Sequence, residues 1–415
     1  MMSDKDTRTS SIRQGPVQLV LDDTKDLSGQ PCVAEDSGLS RGCIGREITA
    51  AEFFAGIGLV RAGLEQAGIG VVWANDLARK KHDVYASNFD SCDYRLGDIK
   101  DVQGISLPSV DIATASFPCV DLSLAGHRRG LDGEHSGLFF EFTRVLGEMG
   151  DRLPSVVMIE NVTSFVSSRE GQDLRASIEA LNSLGYVCDV LTADARWFVP
   201  QSRPRLFIIG TRERLAGTAS GEPGPLRSPV VVKFARKNRD LALQELPVPI
   251  PPQNGNRLSD VVERLHPEDE RWWYNDRLEK FAESLSHSHR HRLDLLRQDG
   301  TTHWRTAYRR TRKGVPMWEV RSDDIAGCLR TARGGSSRQA VVEISAGGIR
   351  VRWMTPREYA RLQGAPDEFD YSAVTDAQAL FGFGDAVCVP LVAWLAQHVL
   401  LPAVAACTTR ERAAV

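Results

Sequence analysis

Beginning at Glu47, short runs of consecutive apolar residues alternate with longer stretches whose apolar positions recur at helical spacing. The run "EITAAEFFAGIG" predicts a strand ending in a glycine turn, and "LVRAGLEQAG" predicts the helix that follows. "GVVWAND", "VDIATASF", "PSVVMIEN" and "RLFIIGT" predict further strands, with helices at "KKHDVYASNF", "GLFFEFTRVLGEM" and "GQDLRASIEALNSLG". Strands that are apolar on both faces, separated by amphipathic helices, imply an α/β fold with a parallel sheet covered on both sides.

This rhythm stops near Arg214. "GTASGEPGPLRSP" and "LPVPIPPQNGNR" are rich in Gly and Pro, which mark linkers or irregular surface segments. Further on, "TPREYARLQG" carries the signals of a capped helix, with Thr355 as N-cap, Pro356 in the first helical position and Glu358 three residues after the threonine. A last helix, "CVPLVAWLAQHVLLP", is apolar enough to pack back onto the first domain. The expected organisation is a polar, aperiodic tail over 1–45, an α/β domain over 46–214, a smaller irregular domain over 215–345, and a segment over 346–415 that completes the first domain. No internal repeat is evident.

Composition narrows the class. Of 415 residues, 42% are hydrophobic and 25% charged, with a formal net charge of −3, as in ordinary globular proteins. No run of 18 apolar residues occurs and the N-terminus has no apolar signal-type core, so a cytoplasmic protein with no membrane partner is expected. Eight cysteines stand at 32, 43, 92, 119, 188, 328, 388 and 407, too scattered for a C-x-x-C motif or a disulfide framework. The charge is uneven. Residues His287 to Lys313 hold eight Arg or Lys against two Asp, with Trp304 and Tyr308 among them, a local patch suited to phosphate. Within it "HSHRH" has no Cys or acid at ligand spacing, so it reads as a solvated basic face and no metal is expected.

The candidate chemistry lies at the strand ends. The turn Gly56-Ile57-Gly58 follows a strand and opens a helix, and Asp76 closes the next strand, 20 residues beyond Gly56. This arrangement fits either a tight strand-to-helix turn or a nucleoside cofactor whose ribose hydroxyls meet the acid. The third glycine of the dinucleotide fingerprint is missing, and "GDIKDV" adds Asp98, placed to accept from an adenine amino group. Two acids without a phosphate cradle suit S-adenosylmethionine. In "TASFPCVDLSLAG" a lone thiol, Cys119, follows a proline at one strand end, and Glu160-Asn161 ends the next strand. Both can reach one substrate, as nucleophile and carboxylate; a buried structural cysteine and a helix-capping glutamate are the alternative.

The ordered segments "AEFFAGIGLVRAGLEQAG", "GDIKDV", "SFPCVDLSLAG", "MIENV", "VPQSRPRLFIIG", "RWMTPREYARLQGAPDEF" and "GFGDAVCVP" resemble the motifs of DNA (cytosine-5)-methyltransferases of the bacterial restriction-modification type, from about residue 47 to 402. The resemblance implies a Rossmann-like, S-adenosylmethionine-dependent sheet with helices on both faces and a smaller target-recognition domain over 215–345. It implies that the Cys119 thiolate adds to C6 of a flipped-out cytosine and that Glu160 holds N3 and the exocyclic amine. Arg205 would bind the base carbonyl oxygen, and Arg203 would place the loop or the phosphate backbone. Phe54, Gly56, Ile57, Asp76, Asp98, Ile99 and Pro118 fall at cofactor positions, with Phe54 against the adenine. Three departures stand out: Glu52 replaces the usual Asp, Val120 the frequent Gln, and Asp385 the Asn of the last motif.

Between the two blocks of motifs, "RTARGGSSRQAVV" offers Arg330, Arg333 and Arg338 to DNA, either to guanine edges or to phosphates. The reading is a sequence-specific enzyme acting on double-stranded DNA, expected to be a nucleoid-associated monomer that protects host DNA from a cognate restriction endonuclease without forming a stable complex with it. Its rivals are a transfer-RNA cytosine methyltransferase and a catalytically silent DNA-binding homologue.

Overall fold

The computed structural model describes residues 47–89, 94–118, 137–217, 221–253, 255–312, 314–331 and 338–414. The tail expected over 1–45, Cys119 and Arg333 lie outside the described residues.

Strands β1 (Ile48–Phe53), β2 (Ile69–Asp76), β3 (Tyr94–Leu96), β4 (Ile112–Ala115), β5 (Val156–Val162), β6 (Val187–Asp194) and β7 (Pro204–Thr211) form one sheet in the order β3-β2-β1-β4-β5-β7-β6. Helices α1 (Leu59–Gln66), α2 (Arg79–Asn88), α3 (Leu138–Glu148) and α4 (Gln172–Ser183) connect them. Neighbouring side chains on each strand go to opposite cores. Ala50, Ile112, Val156, Met158 and Phe207 join one, while Ala51, Ala113, Val157, Ile159 and Ile208 join the other. Leu59, Val60 and Leu64 of α1 cover the first face; Phe139 and Phe142 of α3 and Leu174 and Ile178 of α4 cover the second. Burial on both sides explains the continuous apolar runs.

The all-parallel sheet implied by the strand–helix alternation is broken at one strand. β7 runs antiparallel to both β5 and β6. Only residues 195–203, containing a single 3-10 turn, join β6 to β7, whereas a parallel return needs a crossover of about a dozen residues or more. Elsewhere the ladders are parallel, and the order reverses between β1 and β4. In such sheets ligands gather beyond the carboxyl ends of the strands flanking that reversal.

The next segment is more ordered than the irregular domain expected over 215–345. It contains α5 (Pro229–Lys237), α6 (Asn275–Ser284) and α7 (His287–Gln298), and the strands β8 (His303–Arg312), β9 (Val315–Val320), β10 (Ala340–Ser345) and β11 (Gly348–Trp353). These strands form an antiparallel sheet in the order β11-β10-β8-β9. Position 345 falls at the hairpin between β10 and β11, so the small sheet extends past that expected boundary to Trp353. Earlier residues of the segment pack on the large sheet instead. Val231, Phe234 and Leu241 enter one of its cores, and Arg227 pairs with the buried Asp189 on β6. The small sheet has its own core, built by Trp273, Phe281, Leu293, Val342 and Val351.

The chain then returns through α8 (Pro356–Leu362), α9 (Asp376–Asp385), α10 (Val389–Leu395) and α11 (Leu401–Ala414). Helix α8 begins at the capping box of Thr355 and Glu358, and α10 packs against α1. The stretch Asp376–Thr409 is apolar and long enough to cross a membrane by composition, but 72% of its apolar window is buried in the fold, as for a core helix.

Candidate active site

A cleft of about 640 Å³ opens at the carboxyl ends of β1, β2, β4 and β5, and segments 328–331 and 384–387 form its opposite wall. Phe54, Gly56, Ile57, Asp76, Asp98, Ile99 and Pro118 all line it, so the positions read as cofactor-binding converge in space. The turn after β1 is sharply left-handed, with φ +58° at Phe54 and +60° at Gly56. A non-glycine residue held there costs about 1–3 kcal/mol, a strain commonly found at functional sites. A Cβ added at Gly56 would meet nothing nearer than 4.0 Å, so the backbone is open to a close-approaching ligand. Asp76 accepts from the Gly56 N–H at 3.0 Å and from the Ala78 N–H at 2.8 Å, which fixes its carboxylate beside the turn. Asp98 accepts from the Lys100 N–H at 3.0 Å. Two oriented carboxylates flanking an open glycine turn fit a nucleoside rich in hydroxyl and amino donors.

The other half of the cleft holds a buried ion pair. Glu160 is buried at the end of β5, and its Oε1 lies 2.9 Å from Arg205 Nε on β7. Burial raises the Glu160 pKa above the ordinary carboxylate value, and Arg205 followed by Arg203 opposes that rise. Asn161, not assigned a role from the sequence, donates from Nδ2 to the Phe117 carbonyl at 3.3 Å and accepts from the Val162 N–H at 2.8 Å. It therefore ties the end of β4, two residues before Cys119, to the strand carrying Glu160.

Arg203 is buried and acts inward. It donates to the carbonyls of Leu329 at 2.8 Å, Gly384 at 3.1 Å and Ala386 at 2.5 Å. Of the two roles expected for it, this geometry supports placing loops rather than meeting phosphate. Gln201, two residues earlier, adds a bond from its Nε2 to the Leu362 carbonyl at 2.7 Å and accepts from the Leu329 N–H at 3.1 Å. Gly384 sits against the 330–331 backbone so closely that an added Cβ would lie 2.4 Å from the Arg330 carbonyl oxygen, so only glycine fits. Cys328 lines the same wall, its Sγ 3.4 Å from Arg203 Nη1. Burial favours its neutral thiol, but Arg203 and Arg205 outweigh that and hold its pKa below the ordinary thiol value.

The residues expected to read DNA separate. Arg330 is exposed at the cleft wall. Arg338 does not line the cleft: it donates to the Met354 carbonyl at 3.1 Å and lies over the Trp353 ring at 5.3 Å, a brace within the small domain. In the basic patch, Trp304 is buried in the core and so is unavailable for base stacking, while Arg309, Arg310 and Arg312 of β8 are exposed. His289 accepts from the Val320 N–H at 3.2 Å and is thereby tied into the fold. At the foot of the Phe54–Gly56 turn Glu52 is buried, with neither carboxyl oxygen in a hydrogen bond among the described residues; the Arg61 charge and backbone N–H oppose the effect of that burial. Burial pushes its pKa up to about 8.

A sequence profile for C-5 cytosine-specific DNA methylases matches residues 48–400. The Type II methyltransferase M.Bsp6I of Bacillus sp. (strain RFL6) is 26% identical over 354 residues, covering 84% of this chain and 97% of that protein. The Type II methyltransferase M.HhaI of Haemophilus parahaemolyticus is 27% identical over 353 residues, covering 84% of this chain and 93% of that protein. Among solved structures, the S. pombe Dnmt2 methyltransferase superposes with a TM-score of 0.56 at 17% identity, covering 86% of this chain and 99% of that one; this likeness concerns the fold.

Proposed function

Because the chain belongs to the C-5 cytosine-specific DNA methylase family, and is therefore a DNA cytosine-5 methyltransferase, we propose that it uses S-adenosylmethionine to methylate C5 of a cytosine flipped out of a specific duplex sequence. The observation that carries this reading is the sharing of one cleft by the Glu160–Arg205 pair and the turn with Asp76 and Asp98.

C5 of cytosine is a weak nucleophile, and the chain's own residues must activate it. The Cys119 thiolate adds to C6, and electron density moves onto C5. Glu160, protonated in this step, donates to N3 and so stabilises the charge that develops in the ring. Its raised pKa favours that protonated form. Arg205 orients Glu160 and faces the base carbonyl oxygen. S-adenosylmethionine, when bound at Phe54, Gly56, Ile57, Asp76, Asp98, Ile99 and Pro118, supplies the electrophilic methyl group that C5 takes up. A base then removes the C5 proton and Cys119 departs with its bonding electrons, restoring the aromatic ring. A free thiol is only a few per cent ionised near neutrality, so the cleft must favour thiolate or couple addition to protonation. Reaching the target costs about a few kcal/mol of unstacking.

Arg330 at the cleft wall, and the exposed arginines of β8, are the residues proposed to touch DNA. In the host the enzyme is proposed to protect DNA against a partner endonuclease. Bisulfite sequencing of DNA from a host expressing the protein tests the whole reading: protected cytosines are expected in one sequence context. Methyl transfer to transfer RNA alone, in parallel incubations with labelled cofactor, would overturn it.

A further inference from the structure

Helix α2 opens with three consecutive cations, Arg79, Lys80 and Lys81, and no acid stands in its first turn. Positive charge at a helix N-terminus opposes the helix dipole, so this choice is locally unfavourable. Asp83 offsets two of the three, lying 3.1 Å from Arg79 and 3.2 Å from Lys80. Lys81 turns the other way, into the cleft, and pairs with Asp385 at the end of α9. Asp385 is the residue that departs from the Asn of the family's last motif, and here it has a cation to meet.

The position of the pair suggests what it does. The Lys81 stem runs beside the cofactor turn, with Cδ 4.0 Å from where a Cβ on Gly56 would stand. Helix α1, which begins at that turn, has Gly58 as its N-cap, no capping side chain and no acid in its first turn, and Leu59 and Val60 line the cleft. Its leading N–H groups favour a negative charge. Burial works against the ammonium, but Asp385 and Asp76 outweigh it, so Lys81 stays charged. An ammonium carries three donors, and Asp385 engages one face of it. We propose that Lys81, positioned by Asp385, binds the α-carboxylate of the cofactor's amino-acid end, between its ammonium and the start of α1. The proposal rests on S-adenosylmethionine being the cofactor.

The test is direct binding by calorimetry, without turnover, of four probes: S-adenosylmethionine, S-adenosylhomocysteine, decarboxylated S-adenosylmethionine and 5′-methylthioadenosine. The last two lack the carboxylate. Lys81→Met is expected to weaken the first two about 10- to 100-fold, the usual worth of a charge-assisted hydrogen bond, and to leave the last two unchanged. Lys81→Arg keeps most of the selectivity. Asp385→Asn lowers the ratio of S-adenosylhomocysteine to 5′-methylthioadenosine affinity while leaving 5′-methylthioadenosine itself unaffected, as a positioning residue should. Should Lys81→Met fail to fold, Lys81→Met with Asp385→Asn leaves no unpaired carboxylate and is expected to show the same loss of selectivity. Equal weakening of all four probes makes the pair a structural brace and overturns the proposal, as does no change in any. A wild-type protein that binds none of the four removes the cofactor reading itself.

Discussion

Arg205 and Glu160 are diagonal neighbours across two antiparallel strands: the backbone register sets Arg205 opposite Val162 and Glu160 opposite Phe207, yet Arg205 Nε reaches Glu160 Oε1 at 2.9 Å. Residues two apart on a strand share a face, so the long arginine side chain spans the diagonal. Had β7 run parallel, "QSRPR" at its start would lie at the end of the sheet away from the cleft. The reversed strand is what brings a cation to the buried Glu160 carboxyl.

Two consequences follow for turnover. Glu160→Gln can no longer supply the proton to N3, and single-turnover methyl transfer should fall about 10²- to 10⁴-fold, the range for loss of a general acid. Arg205 lowers the Glu160 pKa against the effect of burial. Arg205→Ala should therefore move the limb of the pH–rate profile that reports Glu160 ionisation to higher pH. A limb that stays in place, or moves to lower pH, contradicts the pairing.

Cys119→Ser should abolish methyl transfer while duplex binding persists in gel-shift assays. DNA carrying 5-fluorocytosine at the target should trap the wild-type protein covalently, because fluorine cannot leave as a proton does. Intact transfer without any trapped species would rule out addition at C6.

Glu52 sets a stability prediction with a definite sign. Its pKa is raised by burial to about 8 in the folded protein, from an ordinary value of 4.5. Between those values the folded state binds a proton that the unfolded state has lost, so the carboxyl's contribution to stability is full below about pH 4.5 and is lost as pH rises through 8. Glu52→Gln mimics the neutral form. It should raise stability at pH 8 by roughly 1–3 kcal/mol and match the wild type near pH 4.5, measured by urea titration. Equal stability of the two proteins at both pH values would show that the carboxyl carries no such proton.

Arg352 on β11 and Glu358 on α8 form an ion pair with both side chains fully buried. Arg352 also donates to the Glu263 carbonyl at 2.8 Å, and Glu358 closes the capping box with Thr355. Arg352→Met strands a buried carboxylate and should cost about 3–5 kcal/mol in chemical denaturation. A loss below about 1 kcal/mol would mean that water reaches the pair.

Much of the large sheet is legible in the chain because its strands are buried on both faces and announce themselves as apolar runs. The strand-end residues Asp76, Asp98 and Glu160 follow from that reading, since strand ends are where open sheets bind ligands. The small sheet is hidden. In "HWRTAYRRTR" the buried half of β8 contains Arg305 and Thr306, and β9 contains Pro316, so neither shows the usual pattern. Contacts across great sequence distance are hidden too. Lys81 and Asp385 are separated by 304 positions, and Arg203 meets carbonyls 126 to 183 positions away. Only the unfavourable cations opening α2 hint at Lys81, and nothing local distinguishes the structural Arg203 from Arg205, two residues on.

The carbonyl grip of Arg203 bears on how such enzymes could be re-targeted. Its guanidinium ties the segment between β9 and β10, at Leu329, to the returning helix at Gly384 and Ala386. A chimera that exchanges the small sheet must therefore carry, between its second and third strands, a backbone turn that meets Arg203 as Leu329 does. A graft whose loop there has a different length would leave a buried cation without its carbonyl partner.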